Sequence, residues 1–323
     1  MTRNRLFFAL PLGAALVAAL GAGSIGRQTK ASADTGHPPA RSSVGGGPVL
    51  SEKAKAQLAE ARRAAAALST PEAARAAGYH PRFGYVPLQG EHYARTDLVM
   101  DGRFDPARPS VLVFAPVKGR ETLVGLAYAY MHPVGAPLPE GFDGPADSWH
   151  DHADLFSGGG RHLVMVHAWL VDAPEGPFAH YNPNLPYLVA GLAPPRAETF
   201  ADHAAGGRAL ALGRALALLA MPPEPVRDVE AVAGEPVRRE AAAHRREIEA
   251  RVPRLREAQR SGDRAAYDRL SDEAVRHADA LIAAYRRTAA GRAGLLRAFD
   301  RAMGEYMSTG HAGGHEAHAG HGS

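Results

Sequence analysis

Three apolar segments in the middle of the chain have the patterns of β-strands. Residues 163–171 are apolar at both alternating positions, which is typical of a strand covered on both faces. Residues 111–114 and 122–130 are joined by Lys118-Gly119-Arg120, and this arrangement predicts a hairpin. On its second strand, alternation places large side chains on one face (Val124, Leu126, Tyr128 and Tyr130) and small residues on the other (Gly125, Ala127 and Ala129). The small face would let another element approach closely.

Helical patterns flank these strands on both sides. Ser51 is expected to cap a helix that ends near Leu68, and Thr70-Pro71-Glu72 starts a second one. Three longer helices are predicted further on: Thr199 to about Ala220, residues 237–260 and residues 263–291. The last carries an apolar stripe that we interpret as core, formed by Tyr267, Leu270, Ala274, Ala278, Leu281 and Tyr285. The expected fold class is therefore α+β: a small, mostly antiparallel sheet as core, N-terminal helices and an α-helical C-terminal region.

The N-terminus has the layout of a secretory signal. Thr2-Arg3-Asn4-Arg5 is cationic, residues 6–23 are apolar, and Ala31-Ser32-Ala33 offers a cleavage site. An uncleaved membrane anchor is the alternative, since the apolar run approaches the ~20 residues that span a bilayer. We expect an exported protein, periplasmic or extracellular, that touches a membrane only through such an anchor.

The chain then divides into five predicted parts. These are a signal peptide over residues 1–33, a flexible linker over 34–48, an α+β domain over 49–195, an α-helical region over 196–308 and a disordered histidine-rich tail over 309–323.

Composition excludes some partners and ligands. The 37 basic and 34 acidic residues are intermixed, so no basic face indicates nucleic acid. Cysteine is absent, which excludes disulfides, a lipid-anchored start and thiolate ligands to a metal. A site for a soft metal would have to rely on histidine and methionine.

Histidines are crowded around the predicted strands. His150 and His152 are two residues apart, so on an extended segment both imidazoles project from one side. His167 on a neighbouring strand would complete a three-histidine set with an open position, as in catalytic zinc sites, and His92 is the candidate fourth ligand. Imidazole suits several transition metals, and we expect a divalent ion of the zinc or copper class.

Other groups extend this hypothesis. Glu91 and Asp151 are candidates for a general base, or with Asp154 for groups that orient the ligands. The tail would collect metal with low affinity through His311, His315, His318 and His321.

Three functions remain open from the residues. The first is metal handling or sensing in the cell envelope, and the second is a metal-dependent hydrolase or oxidoreductase whose substrate is unknown. The third is a glycan- or peptide-binding platform formed by aromatic residues 79–93 and 181–187, although these aromatics are more often core. A cupin is a minor alternative, because the spacing from Gly176 to His180 is one residue too long and no glutamate follows His152 at the required offset. No motif of a serine hydrolase, a zincin or a P-loop protein occurs in the mature chain.

Six short motifs resemble a family of exported bacterial proteins of uncharacterised function. They lie between Gly90 and Pro186: Gly90-Glu91-His92-Tyr93, Phe104-Asp105-Pro106 with Arg108-Pro109, residues 123–128, Trp149-His150-Asp151-His152, His167-Ala168-Trp169-Leu170, and residues 174–178 leading to Asn182-Pro183. The resemblance implies the order of elements and draws attention to His92, His150, His152 and His167. It implies no activity. This chain has Ala173 where such relatives have an asparagine before Pro-x-Gly.

Overall fold

A computed structural model of the chain describes residues 49–307, except 87, 145–146, 148, 153–156 and 221–223. The predicted signal peptide, linker and histidine-rich tail, together with Asp154, lie outside the described residues.

Helices begin and end the described part of the chain, and the strands lie between them, interrupted by one short helix after β2. The helices are α1 (Glu52–Ala65), α2 (Pro71–Ala76), α3 (Thr96–Asp101), α4 (Leu185–Val189), α5 (Ala197–Ala201), α6 (His203–Ala220), α7 (Glu224–Val232), α8 (Glu235–Ser261), α9 (Arg264–Ala289) and α10 (Ala293–Met307), and a 3-10 turn (Ala66–Leu68) follows α1. The strands are β1 (His80–Val86), β2 (Gly90–Ala94), β3 (Val111–Val117), β4 (Arg120–Pro133), β5 (His150–Asp151), β6 (Ser157–Gly158) and β7 (Arg161–Trp169). The α+β prediction is confirmed.

One antiparallel sheet contains all the described strands. Its order is β1-β2-β3-β4-β7-β5, and β6 also pairs with β7. The predicted hairpin is the β3–β4 pair, and its two-residue turn has positive φ at Lys118 and Gly119.

The register shifts between Val113 and Phe114, because Val113 pairs with Gly125 whereas Phe114 pairs with Leu123. This leaves Val124 as the extra residue of a bulge, and it packs on the opposite face from Leu126, Tyr128 and Tyr130. The prediction that Val124 shares their face is wrong for this reason.

The N-terminal helices cover one face of the sheet. The Ser51 hydroxyl accepts a hydrogen bond from the Ala54 amide (3.0 Å) at the start of α1, and Thr70 caps α2 in the same way. Helix α1 buries alanines and Leu58 against β3, β4 and β7. Below, this is called the helix face, and the other is called the histidine face.

The C-terminal helices form a second core, which contains the predicted stripe on α9. Gly262, in the left-handed region, ends α8, and Asp263 caps α9. The predicted helix from Thr199 is two helices, because Asp202 is extended between α5 and α6. Helix α4 joins the two cores, since Leu185 packs with the histidine face and Tyr187 packs with the helical core.

Within the part of the chain that the structure describes, every helix is too short or too polar to cross a membrane.

Candidate metal centre

Strand β2 places His92 on the histidine face. Gly90 begins this strand with φ of +84°, and a Cβ atom there would lie 2.6 Å from the Phe114 carbonyl oxygen. Only glycine therefore fits where β2 passes so close to the β3 backbone. His92 pairs with Val113 and is 3% exposed.

His167 lies on β7 above the small residues of β4. It pairs with Ala127, and its neighbours Trp169 and Met165 pair with Gly125 and Ala129. A Cβ atom on Gly125 would lie 3.1 Å from the Trp169 ring, so the space that glycine leaves is filled by the indole. His167 is 1% exposed, and its ring stacks on Trp169 at 5.5 Å between centroids. The small face of β4 thus accommodates large rings from β7.

His92 and His167 meet across the sheet. Their Nε2 atoms are 3.3 Å apart. β2 and β7 are separated by three steps of strand pairing, which is about 14 Å in a flat sheet. The two side chains therefore extend toward each other above β3 and β4.

Strand β5 adds His150 and His152 to the same face. His150 pairs with Met165, and the His152 amide donates a hydrogen bond to the Leu163 carbonyl (2.8 Å). Leu163, Met165 and His167 are two residues apart along β7 and therefore share one face. Their partners His150 and His152 point to that same face. The His150 and His167 rings stack at 5.1 Å between centroids.

A fifth imidazole, from His180, comes from the loop after β7. Trp169 anchors this loop, because its Nε1 donates to the Ala179 carbonyl (2.7 Å) and its amide donates to the Pro177 carbonyl (2.7 Å). The His180 ring stacks on His150 at 3.6 Å between centroids, with Tyr181 on it at 4.0 Å. His180 thereby joins the cluster from a segment without regular structure.

Three of these histidines form a group that could bind a metal. One ring nitrogen from each of His150, His152 and His180 lies within 4.8 Å of the others, and all three residues are half-buried. Three imidazoles with a fourth position open to a small ligand are a typical catalytic or exchangeable zinc arrangement. The group also stays in contact with solvent, so an ion could enter and leave.

The cluster favours neutral imidazoles. Burial lowers the pKa of His92 to about 4; nearby His152 adds to this shift, and a backbone hydrogen bond with Gly90 opposes it. Burial also lowers the pKa of His180 to about 3, with contributions from His152 and His92. The pKa of His167 is well below its usual value because of burial and the other four histidines. Neutral rings keep the lone pairs that a metal needs.

The two candidate bases point away from this cluster. Glu91 alternates with His92 and so lies on the helix face, where its charge adds to the burial that raises the pKa of Glu121. Asp151 lies between His150 and His152 and contacts His162 Nδ1 at 2.7 Å, also on the helix face. Both carboxylates therefore lie on the face opposite the half-buried histidines.

Four of the aromatic side chains in the predicted binding platform are buried, whereas Tyr181 is half-buried. Tyr79, Tyr85, Tyr93 and Tyr187 are buried, in agreement with the interpretation of these aromatics as core.

His180 was considered from the sequence only as part of an imperfect cupin pattern. The loop around it is rich in proline and glycine and has no periodicity that would show where its side chain points. The position of His180 depends on the Trp169 contacts and on Asn182. The backbone N–H of Asn182 donates a hydrogen bond to the Leu88 carbonyl (2.9 Å). These are long-range contacts that a local pattern does not contain.

Comparison of the chain with models of known protein families, with curated proteins and with solved structures found no match. The family resemblance of the six motifs therefore stays a prediction.

Proposed function

We propose that this chain is an exported metal-binding protein that holds a zinc- or copper-class ion at His150, His152 and His180. The observation that carries the proposal is the approach of three ring nitrogens to within 4.8 Å of one another, from two separate segments of the chain.

The donor set supports a borderline transition metal. The cluster offers imidazole nitrogens, and the chain has no cysteine to bring thiolates. Imidazole suits zinc, copper, nickel and iron, whereas magnesium and calcium prefer oxygen ligands. The low pKa values of His92 and His180 keep proton competition weak at neutral pH.

Metal handling or sensing in the cell envelope is the role we favour. The signal-like N-terminus would bring the chain out of the cytoplasm, and the histidine-rich tail would raise the local concentration of the ion. A metal-dependent enzyme is supported by the solvent contact of the three histidines, but Glu91 and Asp151 lie on the helix face and leave it without the base that we expected.

Metal content of the purified full chain tests this proposal. The tail could bind metal by itself, so its four histidines are first replaced by asparagine. The changes are His311→Asn, His315→Asn, His318→Asn and His321→Asn. We expect this parent chain to retain zinc or copper after desalting, and the triple change His150→Gln, His152→Gln, His180→Gln to lose at least one equivalent of it. Retention of the full metal content by the triple variant would refute the site, as would a parent chain that stays metal-free after reconstitution.

The double change His244→Gln, His277→Gln is the matched control. It removes two half-buried histidines that touch each other in the C-terminal helices, and we expect it to leave the metal content unchanged.

A further inference from the structure

The five histidines fall into two groups that differ in depth. His150, His152 and His180 are half-buried and lie at the edge of the sheet, where β5 and the loop after β7 meet. His92 and His167 are almost fully buried and lie over the middle of the sheet. The groups are in contact, since the His150 ring stacks on both His180 and His167.

The inner pair has the spacing of two ligands on one ion. With bonds of ~2.0–2.1 Å and a tetrahedral angle, two nitrogens on zinc are about 3.3–3.4 Å apart. The Nε2 atoms of His92 and His167 are 3.3 Å apart. The same separation also fits a hydrogen bond between the two rings, so a bound ion would replace that contact.

We propose that the cluster holds two metal ions, one on His150, His152 and His180 and a second on the buried pair His92 and His167. This inference rests on the function proposed above. Ions in two-metal sites are about 3.5–4 Å apart, which suits groups whose rings stack on each other. The inner ion would receive two protein ligands and keep positions free on the side of the outer ion, for a small ligand that both ions share.

The surroundings of the inner pair agree with this assignment. Ala127 pairs with His167 and Val113 pairs with His92, so the backbones under the pair carry small or apolar side chains. Burial would slow exchange of the inner ion with solvent relative to the outer one.

Copper stoichiometry and magnetic coupling test the inference on the full chain with the tail histidines replaced by asparagine. We expect two equivalents of Cu(II) per chain, and an electron paramagnetic resonance spectrum that shows coupling between two nearby ions. The change His92→Gln, His167→Gln should reduce the content from two equivalents to one and remove the coupling. Far-UV circular dichroism checks that this variant folds. If it does not fold, the copper content and the resonance spectrum of the parent chain alone test the inference.

The other results separate the two proposals. One equivalent without coupling in the parent chain that the inner-pair variant retains would overturn the two-ion centre and leave the single site intact. One equivalent that the inner-pair variant loses would place the ion on the inner pair and overturn both proposals. No bound copper, zinc or cobalt after reconstitution would overturn both. Two equivalents that the inner-pair variant retains in full would place the second ion elsewhere and also overturn the inference.

Discussion

Two pairs of histidines touch each other in this molecule, and their surroundings differ. His92 and His167 meet through Nε2 in the sheet, whereas His244 and His277 meet through Nδ1 at 3.0 Å between α8 and α9. The sheet pair is buried next to three further imidazoles. The helical pair is half-buried next to Arg251. Burial is the main cause that lowers the pKa of His277, and the positive charge of Arg251 is the second cause.

The carboxylates near the helical pair are already engaged. Glu247 and Glu273 form ion pairs with Arg251 at 2.7 Å and 2.9 Å. A cation bound by His244 and His277 would be repelled by the Arg251 guanidinium, and the two nearby carboxylates already pair with that guanidinium. We therefore expect two histidines in contact to form a metal site only where additional donors are present and no cationic side chain lies beside them.

The largest expected effect is on metal affinity. His150→Gln, His152→Gln, His180→Gln should weaken Zn(II) binding by more than about 100-fold in calorimetry, since changes to groups that merely support ligands already cost about 10–100-fold. His244→Gln, His277→Gln should leave the affinity unchanged. Similar losses in the two variants would remove the distinction between the pairs.

The second effect concerns the glycines that position each pair. Gly90→Ala would combine left-handed φ with a collision against Phe114, and we expect a loss of about 3 kcal/mol in the free energy of unfolding. Gly262→Ala, between α8 and α9, has a similar φ and open space, so about 1 kcal/mol is expected. Urea denaturation measures both. Equal losses would mean that the close approach of β2 to β3 is unimportant.

The metal-free chain should lose stability as the pH falls below about 6.5. The unfolded chain then protonates His92 and His180, whereas the folded chain does so only near pH 4 and pH 3. Each histidine therefore contributes a decrease of about 1.4 kcal/mol per pH unit in that window. Urea titrations from pH 7 to pH 4.5 measure the slope. His92→Gln should flatten it; an unchanged slope would show that His92 is protonated in the folded chain.

The smallest effect compares the two tryptophans. Trp169→Phe removes the donor to the Ala179 carbonyl and loosens the loop of His180, and we expect a loss of about 1–3 kcal/mol in the free energy of unfolding together with weaker metal binding. Trp149→Phe removes the donor to Asp147, on the helix face, and should leave metal binding intact. Weaker binding in both variants would indicate a general loss of folding instead.

Much of this site could be predicted from local patterns. Side chains alternate along a strand, and this rule correctly predicted that His150 and His152 point to one side. It also predicted that His167 shares a face with Met165 and Trp169. The same alternation disfavours Glu91 and Asp151 as general bases at this site, because residues adjacent to the clustered histidines on a strand point to the opposite face. The contact of His92 with His167 depends on the strand order, which no local pattern contains. The position of Val124 depends on the bulge for the same reason.

X-ray absorption at the metal edge tests the central claim most directly. The sample is the full chain with the tail histidines replaced by asparagine, loaded with one equivalent of Zn(II). We predict a shell of at least three imidazole nitrogens at ~2.0–2.1 Å, which the change His150→Gln, His152→Gln, His180→Gln abolishes. A first shell of oxygen atoms, or a shell of three or more imidazole nitrogens that survives in this variant, would contradict the account.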